Sequence, residues 1–99
     1  MTESVNSMIV NIKAFARFRE VLGSGFTLDI PMDSSIKTVI QEIANRSPEA
    51  AEMLCEEDGT LKGYVIIMVN KKRISGHERE SLVLLDGDEV AIFPPVAGG

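Results

Sequence analysis

The residues able to carry chemistry are few. They are one cysteine (Cys55), one histidine (His77), two closely spaced aspartates (Asp86 and Asp88), and an end that reads Phe93-Pro94-Pro95-Val96-Ala97-Gly98-Gly99. One cysteine rules out an internal disulfide and a multi-cysteine metal cage. One histidine removes His-rich metal sites and most two-histidine acid/base schemes. The group that composition does not count is the α-carboxylate of Gly99. ATP can turn a carboxylate into an acyl-adenylate, and a sulfur or amine nucleophile can then attack the acyl carbon. Glycine at the last two positions has no Cβ, so the backbone can enter a channel that a side chain would block. Pro94 and Pro95 cannot donate to a sheet ladder and hold φ at about −65°, which directs the chain outward as a stiff stalk. Extended, Pro94 to Gly99 reaches about 20 Å. The plain alternative is a disordered end or an expression remnant. The strand, diproline and diglycine together favour the chemical reading.

The other candidates have simpler explanations. Cys55 beside Met53 and Leu54 reads as a small buried hydrophobe. A persulfide relay would need an exposed thiol of low pKa, whereas Glu56 and Glu57 would raise it. His77, beside Glu78 and Arg79, reads as a solvated loop residue. Asp86-Gly87-Asp88 is a strong turn signal, so its carboxylates are expected to cap backbone rather than bind metal. Lys71-Lys72-Arg73 is a solvated turn or a contact for an acidic partner. Phe15, Phe18 and Phe93 are either core or, for Phe15 and Phe93 beside the tail, a docking surface.

Periodicity supplies the elements that would position this end. Val10, Ile12 and Ala14 alternate with polar residues, as do Phe26, Leu28 and Ile30, which predicts two strands joined through a short helical turn at 16–22. Asp33, Ser34 and Ser35 offer N-cap oxygens to a helix whose apolar face is Ile36, Val39, Ile40 and Ile43. Ser47-Pro48 starts a second helix that should stop near Asp58-Gly59. Tyr64 to Val69, apolar on both faces, suits a central strand, and Val90, Ile92 and Phe93 form the last one. A helix across one face of a sheet gives a two-layer α+β domain. The late final strand is expected to insert between strands already present, as in a β-grasp. The expected organisation is a disordered leader over 1–7, a domain over 8–93 and an extended tail over 94–99.

The chain has 99 residues and a net charge of −5. Nucleic-acid backbone binding needs a surplus of Lys and Arg, so that class is disfavoured, and anionic membrane surfaces are disfavoured for the same reason. No apolar run approaches the roughly 20 residues of a membrane span. No basic n-region precedes an apolar stretch, so a cytoplasmic protein is expected.

Phe15-Ala16 with Arg19-Glu20, Val69-Asn70, Leu85-Asp86-Gly87-Asp88-Glu89-Val90 and the closing Phe93–Gly99 block together resemble the MoaD family within the ubiquitin-like MoaD/ThiS sulfur carriers. The likeness runs from about Met8 to Gly99. It implies a β-grasp of about five strands. It also implies that an E1-like (MoeB/ThiF-like) enzyme, using ATP and Mg, adenylates Gly99. Sulfur from a persulfide then gives a thiocarboxylate. The tail (Pro94, Pro95, Val96, Ala97, Gly98, Gly99) threads into a MoaE-like large subunit, where sulfur passes to cyclic pyranopterin monophosphate to form molybdopterin. Catalytic side chains would belong to that subunit, so the chain would act as a sulfurtransferase only within a heterotetrameric synthase and would bind no cofactor itself. Two alternatives remain: a ThiS-like carrier for thiamine thiazole, and a ubiquitin-like modifier joined through Gly99 to lysines. The leader and the acidic stretch 47–63 depart from the most compact members.

Overall fold

The computed structural model describes residues 6–94. Residues 1–5 of the expected leader, and Pro95 to Gly99 of the expected tail, lie outside the described residues. The first strand, β1 (Ser7–Ala14), alternates strictly between exposed and buried positions. It starts at Ser7, inside the expected leader, and the Asn6 carbonyl accepts the Met32 N–H. A short helix, α1 (Arg17–Leu22), links it to β2 (Gly25–Pro31), which returns antiparallel with Val10 opposite Leu28.

The main helix, α2 (Ile36–Ala44), buries all four predicted apolar positions. Its N-cap differs from expectation. Ser35 occupies the cap without a side-chain bond. Ser34 instead donates its hydroxyl to the Pro31 carbonyl, and the Ile36 N–H is taken by the Leu82 carbonyl. The helix start is thus satisfied by tertiary structure, which periodicity cannot foresee. The next helix, α3 (Pro48–Leu54), begins as expected, with Ser47 Oγ accepting from the Ala50 N–H at 3.0 Å. It ends earlier than expected, because Cys55 leaves the helix to bridge Leu61.

Strand β3 (Ile66–Val69) turns through Asn70 and Lys71, both at positive φ, into the two-residue β4 (Lys72–Arg73). A small helix, α4 (Glu78–Ser81), follows, and then β5 (Glu89–Phe93). Neither β4 nor α4 carries a periodic signal long enough to read from sequence. The sheet order is β2-β1-β5-β3-β4. The last strand runs parallel to β1 and antiparallel to β3, so the centre belongs to β5 and not to the 64–69 segment. This insertion is the β-grasp arrangement. The helices cover one face, and Met8, Val10, Ile12, Ile67, Val90 and Ile92, all 2% exposed or less, meet α2 there. Among the described residues, no helix is long and apolar enough to cross a membrane.

The turn before β5 is held by the aspartates, as expected. Asp86 Oδ1 accepts the Ile9 N–H at 2.8 Å. Asp88 accepts from the Leu85 N–H at 2.8 Å and from Asn70 Nδ2 at 2.9 Å. Asn70 Oδ1 takes the Glu89 N–H at 3.0 Å. Gly87 sits at φ 88°, a region that costs an L side chain about 1 kcal/mol or more.

Two stability changes follow. Lys71→Gly relieves a positive-φ lysine in a two-residue turn and should raise stability by about 0.5–1 kcal/mol. Ile67→Ala, at a fully buried position, should cost about 2–5 kcal/mol. Urea midpoints measure both.

Candidate functional site

The root of the tail lies where β5 leaves the sheet. Phe15 follows β1 directly and donates its backbone N–H to the Ile92 carbonyl at 3.2 Å. This sets its ring over Phe93, with centroids 4.4 Å apart and planes within 4°. Such pairs contribute about 0.5–1.5 kcal/mol beyond burial alone. Paired positions in a ladder project to the same face. Phe93 pairs with Ile66, and Ala91 pairs with both Met68 and Lys13. Met68 also pairs with Arg73. The face away from the helices therefore carries an apolar patch of Phe15, Phe93, Ile66, Met68 and Ala91, flanked by Lys13 and Arg73. Lys13 Nζ lies 3.7 Å from Glu89 Oε1. This exposed pair adds about 1 kcal/mol at most.

The sequence left three phenylalanines undecided between core and surface. Phe18 is core at 1% exposed, whereas Phe15 is 38% exposed and stacks on half-buried Phe93. Ile66, Met68 and Ala91 carried no functional signal, because a run apolar on both faces reads as buried. Their outward direction becomes visible only once β5 is known to lie between β1 and β3.

The remaining candidates are placed elsewhere. Cys55 is half-buried, and burial, aided by Glu80, raises its thiol pKa against an opposing effect of Lys62. The raising charge is thus Glu80, across the fold, rather than Glu56 or Glu57. His77 precedes α4 as an exposed cap residue. Lys71 sits in the turn, and of the basic trio Arg73 is the one paired with Met68 on the patch side. Arg79 donates to the Lys62 and Val65 carbonyls, and Glu80 accepts from the Leu61 N–H, so the loop before β3 is clipped to α4. Among the described residues, no three His, Cys, Asp or Glu side chains gather as a metal site. Pro94 is described at the root, and the rest of the predicted tail lies beyond it.

A model of the ThiS family matches residues 12–99, which take in the whole sheet except the start of β1. The chain belongs to the ThiS family. Small archaeal modifier protein 3 of Haloferax volcanii is 32% identical over 93 residues, covering 93% of this chain and 100% of the relative. The molybdopterin synthase sulfur carrier subunit of Escherichia coli is 34% identical over 91 residues, covering 92% and 100%. A solution structure of a Haloferax volcanii protein superposes with a TM-score of 0.85 at 29% identity, covering 100% of this chain and 93% of that chain. This ThiS-family chain is a ubiquitin-like protein of the MoaD/ThiS sulfur-carrier type.

The environment of Cys55 has a measurable consequence. A raised pKa keeps the thiol protonated, and the thiolate is the reactive form. Alkylation by iodoacetamide at mildly alkaline pH should run slower in the folded chain than in the urea-unfolded chain, and equal rates would contradict the placement.

Proposed function

We propose that this chain carries sulfur as a thiocarboxylate on Gly99 and delivers it within a molybdopterin synthase. The observation that supports this is the tail root. The chain leaves the central strand beside a cation-flanked apolar face, so a partner that grips the face receives the tail in a fixed direction. An E1-like adenylating enzyme would use ATP and Mg to form the Gly99 adenylate. The terminal sulfur of a persulfide would then attack the acyl carbon and expel AMP, and a thiol of the sulfur donor would cleave the resulting acyl disulfide, forming a disulfide and leaving the thiocarboxylate. A MoaE-like large subunit would accept Pro94 to Gly99 and direct sulfur to cyclic pyranopterin monophosphate, in a heterotetramer with two copies of each chain. The aromatic pair Phe15 and Phe93 would anchor both partners, and Lys13 and Arg73 would meet acidic rims. The chemistry takes place in the cytoplasm, and no side chain of this protein does catalysis.

The likeness to the Haloferax modifier supports a second reading, in which Gly99 is joined to substrate lysines. The same adenylate serves both, since a persulfide sulfur and a lysine amine are alternative nucleophiles at one acyl carbon.

Tryptic cleavage after Arg79 leaves a peptide, Glu80 to Gly99, without methionine or cysteine. Sulfur in place of one oxygen in that peptide, from protein isolated from its own cell, is the expected result, because oxidation of a sulfur side chain cannot mimic it. Slower-migrating conjugates lost on deleting Gly99, with an unmodified peptide, would favour the modifier instead. Phe15→Ala should raise the Kd for the large subunit by about tenfold or more while leaving the fold intact. An unchanged Kd would remove the patch from the docking surface.

A further inference from the structure

A second surface lies on the helix side of the sheet, at the end where β5 leaves it. It is an open groove of about 1160 Å³ between α1, the end of α2, α3 and the loop before β3, with Pro94 on its rim. Phe18, Ala44 and Ala51 line it, and Met53 and Tyr64 add larger apolar surface, with Tyr64 54% exposed. A smaller groove of about 420 Å³ adjoins it and shares Arg17, Glu52 and Met53. Five carboxylates edge the pair: Glu52, Glu56 and Glu57 at the larger groove, Glu20 and Glu49 at the smaller. The two cations are Arg17 and Lys62, and Lys62 Nζ lies 5.8 Å from the centroid of the Tyr64 ring. Among the described residues the only salt bridge is Lys13 to Glu89, on the other face. None of the five carboxylates therefore has a cation at ion-pair distance. They repel one another in the free protein, and cations brought by a partner relieve that repulsion.

A small-molecule pocket is enclosed and mostly apolar, with a few polar groups that fix orientation. This groove is open and edged by like charges, which suits a stretch of polypeptide. We propose that it docks a basic segment of a second protein, anchored by one large apolar side chain. The anchor lies against Met53 and Tyr64, and Lys or Arg residues beside it meet Glu52, Glu56 and Glu57. Arg17 and Lys62 repel cations at their own positions, which restricts the register in which the segment fits. The sheet face has the opposite preference, because Lys13 and Arg73 flank it. A protein whose charges suit one surface is repelled at the other, so the two surfaces take different partners. The groove shares no residue with the sheet patch, and its occupant does not depend on whether Gly99 carries sulfur or joins lysines.

The test selects phage-displayed random peptides on the full chain. One enriched class is expected to carry Lys or Arg on both sides of Leu, Phe or Trp, and to persist when Phe15→Ala removes the sheet-face anchor. A synthetic peptide of that class should shift the amide signals of Met53, Gly59, Lys62 and Tyr64. Its Kd should rise about tenfold with Tyr64→Ala, and about tenfold with Glu52→Lys and Glu56→Lys together. All three positions are exposed, so these chains keep the fold. Asp29→Lys with Glu78→Lys makes the same charge change away from the groove, and the Kd should stay that of the unaltered chain. Absence of the basic class, equal weakening by the control pair, or shifts at Met68 and Arg73 in place of the groove would overturn the proposal. So would self-association of the isolated chain that Arg73→Glu abolishes, because the occupant would then be the sheet face of a second copy.

Discussion

The structure depends on one event, the insertion of β5 between β1 and β3. Without it the β1–β2 hairpin and the β3–β4 pair share no hydrogen bond, since each touches the sheet only through the last strand. Val90 and Ile92 have no solvent exposure, and their burial needs both neighbours and α2 at once. The Asp86-Gly87-Asp88 turn makes this insertion specific. Its carboxylates accept from Ile9, Leu85 and Asn70, three points on separate parts of the chain, and so fix the register in which β5 enters. A one-residue slip would turn every buried side chain of β5 to the wrong face.

How much of this can be read from residues alone follows from the range of each interaction. The alternation of β1 and β2 and the apolar stripe of α2 are local, and they are legible. The insertion of the final strand follows from its late place in the order. What was not legible depends on distant partners. Cys55 leaves its helix because Leu61 offers a bridge. Ser35 leaves its side chain unused at the start of α2, where the distant Leu82 carbonyl takes the Ile36 N–H. Helix α4 is too short to show a period, yet Arg79 and Glu80 use it to hold the loop that leads into β3. At the site, Phe15 and Phe93 are legible as candidates because a sheet covered by helices on one face can leave its other face apolar beside the tail. Ile66, Met68 and Ala91 are not, because facing outward is a property of the assembled sheet.

The two faces at the tail end differ in kind. The sheet face is apolar, flanked by cations and walled by stacked rings, which suits a protein surface. The helix side is concave, and its glutamates outnumber its cations. One strand end therefore lies between two environments, with Phe93 stacked on the sheet face and Pro94 at the rim of the groove.

The central position of β5 also has a mechanical consequence. A partner that pulls on the tail loads the strand along its own axis. The strand is bonded on both sides, through Asn11 to Ala14 on β1 and Ile66 to Val69 on β3. Tension therefore acts as shear on two ladders together, so the bonds share the load and do not open one at a time, as they would in a peeled edge strand. A pull along β5 is therefore resisted by both halves of the sheet at once.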